Sequence, residues 1–372
     1  MGKRILITGG AGFVGSHTAD ALVARGHEVR IYDNLCEQVH AAGLPSYLSR
    51  EVEFIRGDMG DLEHLRRVVK GAEVIYHLAA AVGVGQSMYR ISDYMSANTL
   101  GTANLLQAIL DTKVRLEKLV VASSMSIYGE GEYMCEECGE AAPPMRSSLQ
   151  LQARQWEVRC PACDRVLIPI ATRESKPLHC GSIYALSKKD QEEMTLLFGR
   201  TYGVPTVALR YFNIYGTRQA LSNPYTGVVA IFASRLMNGS APVIFEDGEQ
   251  IRDFVHVRDI VQANLLAMER READGIALNI GSGEPISIRQ IASEMAATLG
   301  VSTPFEITGK YRAGDIRHCF ADISAASRIL KYKPAVRFSD GLKDLVQWLG
   351  SQEAEDRVDD ALQRLKTHGL VA

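Results

Sequence analysis

KRILITGGAGFVGSHTADALVARGHEVRIYD, residues 3–33, is the stretch from which the rest of the chain is read. Residues Lys3 to Thr8 form a short apolar run suited to a buried parallel strand, and Gly9, Gly12 and Gly15 follow at GxxGxxG spacing. Apolar residues then recur at helical spacing to Arg25, and Gly26 is placed to end the helix. EVRIYD reads as a second strand closed by Asp33. Strand, glycine turn, helix, strand and terminal acid follow the order of a dinucleotide-binding unit. Glycines let the backbone approach a pyrophosphate at the helix N-terminus, and the acid accepts hydrogen bonds from the adenosine ribose. An acid at that position disfavours a 2′-phosphate, so NAD is expected rather than NADP. The expected cofactor contacts in this segment are Gly9, Gly12, Phe13, Val14, Gly15, Asp33 and Asn34.

Working outward, VEFIRGDM places Asp58 and Met59 at the end of another strand, and AEVIYHLAAAVG does the same for Leu78, Ala79 and Ala80. Strand ends of this kind collect ligands in a doubly wound sheet. Asp58 is read either as a partner of the adenine amino group or as a helix N-cap, and His77 as a packed strand-end residue. Residues 93–110 carry a helical period around Asn98, and KLVVASS is a further buried strand delivering Ser123 and Ser124. The alternation implies an α/β fold: a doubly wound parallel (Rossmann) sheet, with a smaller C-terminal substrate domain and a zinc-knuckle insertion. The expected division is 1–132 with 173–215 for the NAD-binding domain, 133–172 for the insertion and 216–372 for the substrate domain. Within the last, segments at about 250–283 are expected to return to the sheet.

SSMSIYG and YALSK bracket the insertion. On a helix Tyr184 and Lys188 lie one turn apart on one face, where an ammonium stabilises a phenolate and makes the tyrosine a base. Between these motifs, MCEECGE and RCPACDR supply Cys135, Cys138, Cys160 and Cys163, two CxxC knuckles with 21 residues between them. Four thiolates fill a tetrahedral Zn²⁺ shell and leave no open position, so the expected metal is structural. Cys36, Cys180 and Cys319 carry no motif.

Composition narrows the alternatives. Lys+Arg 41 against Asp+Glu 44 gives a net charge of −3 without long blocks of either sign, which argues against nucleic acid or an anionic membrane as partner. ILIT, broken at once by Gly9 and Gly10, is too short for a signal segment or a membrane span. A cytoplasmic, reducing location is expected, because paired CxxC motifs suit metal ligation better than disulfides.

TGGAGFVG, Asp33, HLAA, SSMSIYG and YALSK, continued by LRYFNIYGTRQ, QIRDFVHVRDI and YRAGDIR, resemble the extended short-chain dehydrogenase/reductase superfamily, and within it the nucleotide-sugar epimerases and dehydratases. The resemblance implies that Tyr184 is the catalytic acid/base, that Lys188 positions the nicotinamide ribose and lowers the tyrosine pKa, and that Ser124 hydrogen-bonds the reacting sugar oxygen. It extends the cofactor set to Asn98, Tyr184, Lys188 and Tyr211. It implies that Arg252, and with it Arg312, binds the diphosphate of a nucleotide-diphosphate sugar; the bland reading of each is an ion pair with Asp253 or Asp315. Ser126 and Asp315 complete the expected substrate set with two residues of open role. Asn213 either bonds substrate or caps the next element, and Phe245 either stacks on the base or packs in the core.

Met125 and Ser126 stand where the dehydratases have Asp-Glu, which favours epimerisation through a transient 4-keto sugar. The four-cysteine insertion with SNPYTG and FEDG is most similar to the dTDP-L-rhamnose 4-epimerase group. A reductase, decarboxylase or dehydratase of the superfamily, and a non-catalytic NAD-binding redox sensor, are the alternatives. A homodimer pairing helices near 93–110 and 184–201 is implied by the resemblance alone, and the charged helical stretch 353–372 has no assigned purpose.

Overall fold

β1 (Arg4–Thr8) exposes Arg4 and buries the four residues after it, as a central parallel strand covered on both faces must. The chain then turns at Gly9, whose φ of +70° is left-handed, and enters α1 (Phe13–Val23) through Gly12, with no side chain capping the helix. β2 (Glu28–Asp33), β3 (Glu53–Arg56), α2 (Leu62–Val68) and β4 (Val74–His77) continue the alternation. The computed structural model describes residues 2–302, 305–312 and 314–371.

After β4 come the short helices α3 (Val84–Ser87) and α4 (Ile91–Tyr94), then α5 (Gly101–Thr112). The helix expected across 93–110 is interrupted by a π-helical turn over Met95–Leu100, which carries Asn98. β5 (Lys118–Ser124) is buried along its whole length. The insertion follows as β6 (Glu132–Cys135), β7 (Gly139–Ala141), α6 (Ser148–Gln152) and β8 (Ile168–Ile170), with the strands paired antiparallel in the order β7-β6-β8. α7 (Ile183–Tyr202) and β9 (Thr206–Tyr211) return to the main fold.

Beyond β9 the chain crosses between layers. β10 (Asn213–Tyr215) leaves for a second sheet, α8 (Val228–Met237) and β11 (Val243–Ile244) follow, and β12 (Ile251–His256) joins β10. α9 (Val257–Glu269) and β13 (Ile276–Ile280) rejoin the main sheet, so of residues 250–283 the first strand lies in the second sheet and the rest in the first. β14 (Pro285–Ser287), α10 (Ile288–Leu299), β15 (Glu306–Ile307), β16 (His318–Cys319), α11 (Ser324–Ile329), α12 (Phe338–Leu349) and α13 (Val358–Thr367) complete the chain. β14 falls inside a stretch that reads as a turn running into a helix; it is three residues long and pairs antiparallel with β12.

The main sheet has seven parallel strands in the order β13-β9-β5-β4-β1-β2-β3. One face packs Ala19 and Leu22 of α1 with Ile260 and Ala263 of α9, and the other packs Leu65, Leu105, Ile109 and Phe198. Each buried Leu, Ile or Phe side chain among these contributes about 1.5–3 kcal/mol. The second lobe has a separate core around Phe232, Phe254, Ile291, Met295, Leu342 and Leu345, from β12, α8, α10 and α12. The strand order reverses between β1 and β4, and that switch point opens the crevice in which such sheets hold ligands.

Candidate active site

The crevice floor is built by close packing that tolerates only glycine. A Cβ on Gly9 would lie 2.7 Å from the Ala79 Cα, and one on Gly15 would collide with the Gly9 carbonyl. A Cβ on Gly12 would have only the Gly9 carbonyl oxygen nearby, at 3.4 Å, so the face in front of the uncapped first turn of α1, begun by Phe13 and Val14, is open. Such a turn presents backbone N–H groups and a positive dipole end to an anion. Asp33 closes β2 with its carboxylate accepting from Ala11 N at 3.1 Å and Leu35 N at 2.9 Å. Asn34 donates to Asp58 at 2.8 Å, and Asp58 also accepts from Gly60 N. The N-cap of α2 is Asp61, three residues beyond the one suggested by the strand end. Met59 is buried against Gly101, and its carbonyl accepts from Asn104 at 3.0 Å.

The candidate reactive side chains, Ser124 and Tyr184, come from β5 and α7, on neighbouring elements of the crevice wall. Ser124 Oγ accepts from Ser126 N at 3.2 Å and from the Ser126 hydroxyl at 2.9 Å, which fixes the turn after β5. α7 starts at Ser182, whose hydroxyl accepts from Ala185 N, while Tyr184 N donates to Ser87 Oγ at 3.0 Å. The Tyr184 phenol lies beside Ser124; burial pushes its pKa up, and the neighbouring Ser124 works in the opposite direction. Tyr94 packs edge-on against the Tyr184 ring, with centroids 6.4 Å apart.

Lys188 does not use its place one turn from Tyr184 to pair with the phenol. Its Nζ, 3% exposed with its residue, donates to Gln191 Oε1 at 2.7 Å. Burial pushes the ammonium down to about 7, against the opposing pull of the Glu192 carboxylate. A cation so deprived of water takes the nearest fixed acceptor, which here is the amide three residues on. Gln191 in turn donates to Thr102 Oγ1 at 2.8 Å and approaches His77 Nε2 at 3.1 Å, and His77 Nδ1 is bonded to Thr8 Oγ1 at 2.8 Å. Burial, with Lys188 adding to it, lowers His77 to about 3 and keeps it neutral. His77 is thus a packed strand-end residue, and Gln191 is a member of the site that no sequence motif announces.

The loop after β4 is held from below. Asn98 accepts from Ala81 N at 2.7 Å and donates to the Ala81 carbonyl and to Ser187, an arrangement that the π-helical turn makes possible. Ala79 O lies 3.4 Å from Gln191 Nε2, Leu78 N donates to the Thr8 carbonyl at 3.1 Å, and Ala80 follows partly buried in the same loop. Tyr211 gives its hydroxyl to Asn264 Oδ1 inside the α1 and α9 layer, so its side chain offers no polar group to the crevice.

On the opposite wall, Asn213 opens β10 with its Oδ1 buried and without a partner among the described residues. Arg312 lies over the Phe245 ring at 4.7 Å, so Phe245 is neither free nor a core residue. Asp315 accepts from Arg312 at 2.7 and 3.0 Å, and Arg252 approaches it at 3.5 Å. Burial pushes the Asp315 carboxyl up, but Arg312 and Arg252 outweigh it and hold the group below its ordinary range. Asp253 pairs with neither arginine. It accepts from Ser282 N and Gly283 N and thereby pins the GSG turn. The C-terminal segment connects the two walls: Leu365 lies against Gly85, His368 stacks on Tyr89 at 4.6 Å, and Val371 bridges to Arg312.

In the insertion, the Sγ atoms of Cys135, Cys138, Cys160 and Cys163 all lie within 4.8 Å of one another, with Cys135 and Cys163 at 3.5 Å. The N–H groups of Cys138 and Glu137 hold the Cys135 thiol down to about 7. Tyr133, Val158 and Leu167 pack beneath the cluster.

A family model described as the NAD dependent epimerase/dehydratase family matches residues 5–148 and 161–281. The dTDP-L-rhamnose 4-epimerase of Burkholderia thailandensis is 33% identical over 355 residues, covering 94% of this chain and 96% of that protein. Among solved structures, the UDP-glucose 4-epimerase of Thermotoga maritima with UDP-glucose is similar with a TM-score of 0.76 and 30% identity, over 93% of this chain and 98% of that one. The UDP-glucuronic acid 4-epimerase of Bacillus cereus, in complex with UDP-glucuronic acid and NAD, also gives 0.76, at 27% identity over 93% and 99%.

Proposed function

The chain belongs to the NAD dependent epimerase/dehydratase family, and from that membership we propose that it is an NAD-dependent nucleotide-sugar 4-epimerase acting on dTDP-L-rhamnose or a related sugar. The observation that carries the reading is the meeting of Ser124 with Tyr184 at the crevice wall, beside an uncapped glycine turn and an acid at the end of β2. The open face at Gly12 and the free first turn of α1 fit a dinucleotide pyrophosphate, and Asp33 fits its adenosine ribose. NAD, when bound, supplies a reversible hydride acceptor for the sugar C4.

The protein's own work is proton transfer and positioning. Tyr184 takes the proton of the C4 hydroxyl and later returns it, while Ser124 donates a hydrogen bond to the same oxygen as charge develops. Arg252 and Arg312 hold the diphosphate, with Asp315 as their shared counter-charge, and Asn213 has an unpaired acceptor for a sugar or nucleotide donor. Met125 and Ser126, in place of an acid pair, support epimerisation over dehydration.

The same reading takes the four cysteines as a structural zinc site. A tetrahedron with Zn–S bonds of about 2.3 Å has S···S edges of about 3.8 Å, and the four sulfurs, all within 4.8 Å of one another, are gathered near that size. We take the protein to be a cytoplasmic homodimer, supported by cysteines that form no disulfide among the described residues and by the exposed Leu100, Leu186 and Leu197 along the π turn and α7. Incubation with dTDP-, UDP- and GDP-sugars without added NAD, followed by product identification, tests the function. Conversion of one sugar to its C4 epimer is expected; a decarboxylated, dehydrated or reduced product, or none, contradicts it.

A further inference from the structure

The insertion touches the substrate wall through charge. Arg146, its side chain 2% exposed, reaches Glu246 through two bonds of 2.9 Å, and also donates to the Asp315 carbonyl at 3.2 Å and the Trp156 carbonyl at 3.0 Å. Arg317, fully buried, donates to Glu246 at 3.0 Å and to Asp247 at 2.7 and 2.9 Å, and its Nε donates to Glu157 at 3.1 Å. Glu157 also holds His318 at 3.0 Å. Thus one residue before the cysteine pair at 160–163 and one before α6 clamp two segments: 245–247, which carries Phe245, and 315–318, which continues from Arg312.

Of the two, 245–247 has little scaffold of its own, whereas 315–318 runs into β16, which pairs with β12. β11 and β15, which pair with each other, are two residues long, and Glu246 sits at a φ of +54°. The placement of 245–247 therefore depends on the ion cluster supplied in part from the insertion, and the same cluster ties it to 315–318 through Arg317. Removing one partner of such a buried set leaves a charge uncompensated, and the remaining groups must move or take up water.

We propose that Arg146 and Glu157 are positioning residues for the nucleotide-diphosphate site, holding Phe245, Arg312 and Asp315 in register through Glu246 and Arg317. This rests on the nucleotide-sugar reading given above. It assigns the insertion a role in substrate affinity, distinct from the hydride chemistry at Ser124 and Tyr184. The effect belongs in KM and in nucleotide affinity, because the reacting groups lie on β5 and α7, outside the cluster.

The test compares wild type, Arg146→Met, Arg146→Lys and Glu157→Gln as holoenzymes. Binding of dTDP and UDP is measured by titration calorimetry, beside KM, kcat and bound NAD. Arg146→Met should weaken binding of the preferred nucleotide and raise KM by about ten- to a hundredfold, with kcat at saturation within about threefold and NAD retained. Arg146→Lys should recover part of the loss, since a single ammonium replaces one arm of the fork. Glu157→Gln, on a half-exposed side chain, tests the cluster if Arg146→Met does not fold, and should raise KM by about three- to tenfold. Nucleotide affinity and KM unchanged in Glu157→Gln and in the folded Arg146 variants would overturn the proposal alone. A wild-type protein that binds neither nucleotide overturns the nucleotide-sugar reading, and this inference with it.

Discussion

Lys188 Nζ donates to Gln191 Oε1 at 2.7 Å, which places a buried ammonium on an amide while the Tyr184 phenol lies beside Ser124. The folded pKa of Lys188, about 7, lies below its ordinary 10.5. Between those values the unfolded chain binds a proton that the folded protein does not, so stability rises with pH, and the full penalty is felt below about pH 7. Lys188→Met removes the penalty, worth roughly 4–5 kcal/mol near pH 6. Urea unfolding should show the variant more stable there, with its advantage shrinking by about 2–3 kcal/mol between pH 7 and pH 9. A gain that is constant with pH contradicts the burial argument.

Tyr184→Phe removes the proposed proton carrier and leaves the ring packed against Tyr94. Turnover should fall by about a hundredfold to ten-thousandfold, with bound NAD unchanged by absorbance and extraction. Near-normal turnover would exclude Tyr184 as the acid/base.

Gly9→Ala places a Cβ 2.7 Å from the Ala79 Cα at a left-handed φ. The turn must shift away from the pyrophosphate face, so purified variant should carry little NAD and recover activity only when NAD is added in excess. Full NAD content in the variant would show that the turn does not contact the cofactor.

Cys135→Ser combined with Cys160→Ser breaks both knuckles. Metal analysis should find about one zinc per chain in wild type and none in the variant, with a lower melting temperature that zinc no longer restores. Wild-type protein free of zinc after metal-replete expression contradicts a structural site.

Much of this architecture is legible along the chain because its signals are local. The β1–α1–β2 unit, Asp33 at a strand end, Ser124 after a buried strand and the two CxxC pairs each declare themselves within a few residues. Long-range pairing is what stays hidden. Gln191 matters through His77 and Thr102, and Arg146 through Glu246, 100 positions away. The π-helical turn at Asn98 has no period of its own to betray it, and Tyr211 ends a strand in the expected place while its hydroxyl is used by Asn264 in the packing layer. Phe245 shows the same limit from another side: its partner Arg312 comes from a distant loop, so the sequence leaves stacking on a base and packing in a core both open.

The central claim is that hydride leaves and returns to one carbon within one bound complex. A nucleotide sugar deuterated at C4, converted without added NAD and followed by NMR and mass spectrometry, tests it directly. The predicted product is the C4 epimer with deuterium retained at C4, and no NADH in solution. Loss of the label to solvent, its appearance at another carbon, or release of NADH would contradict the account.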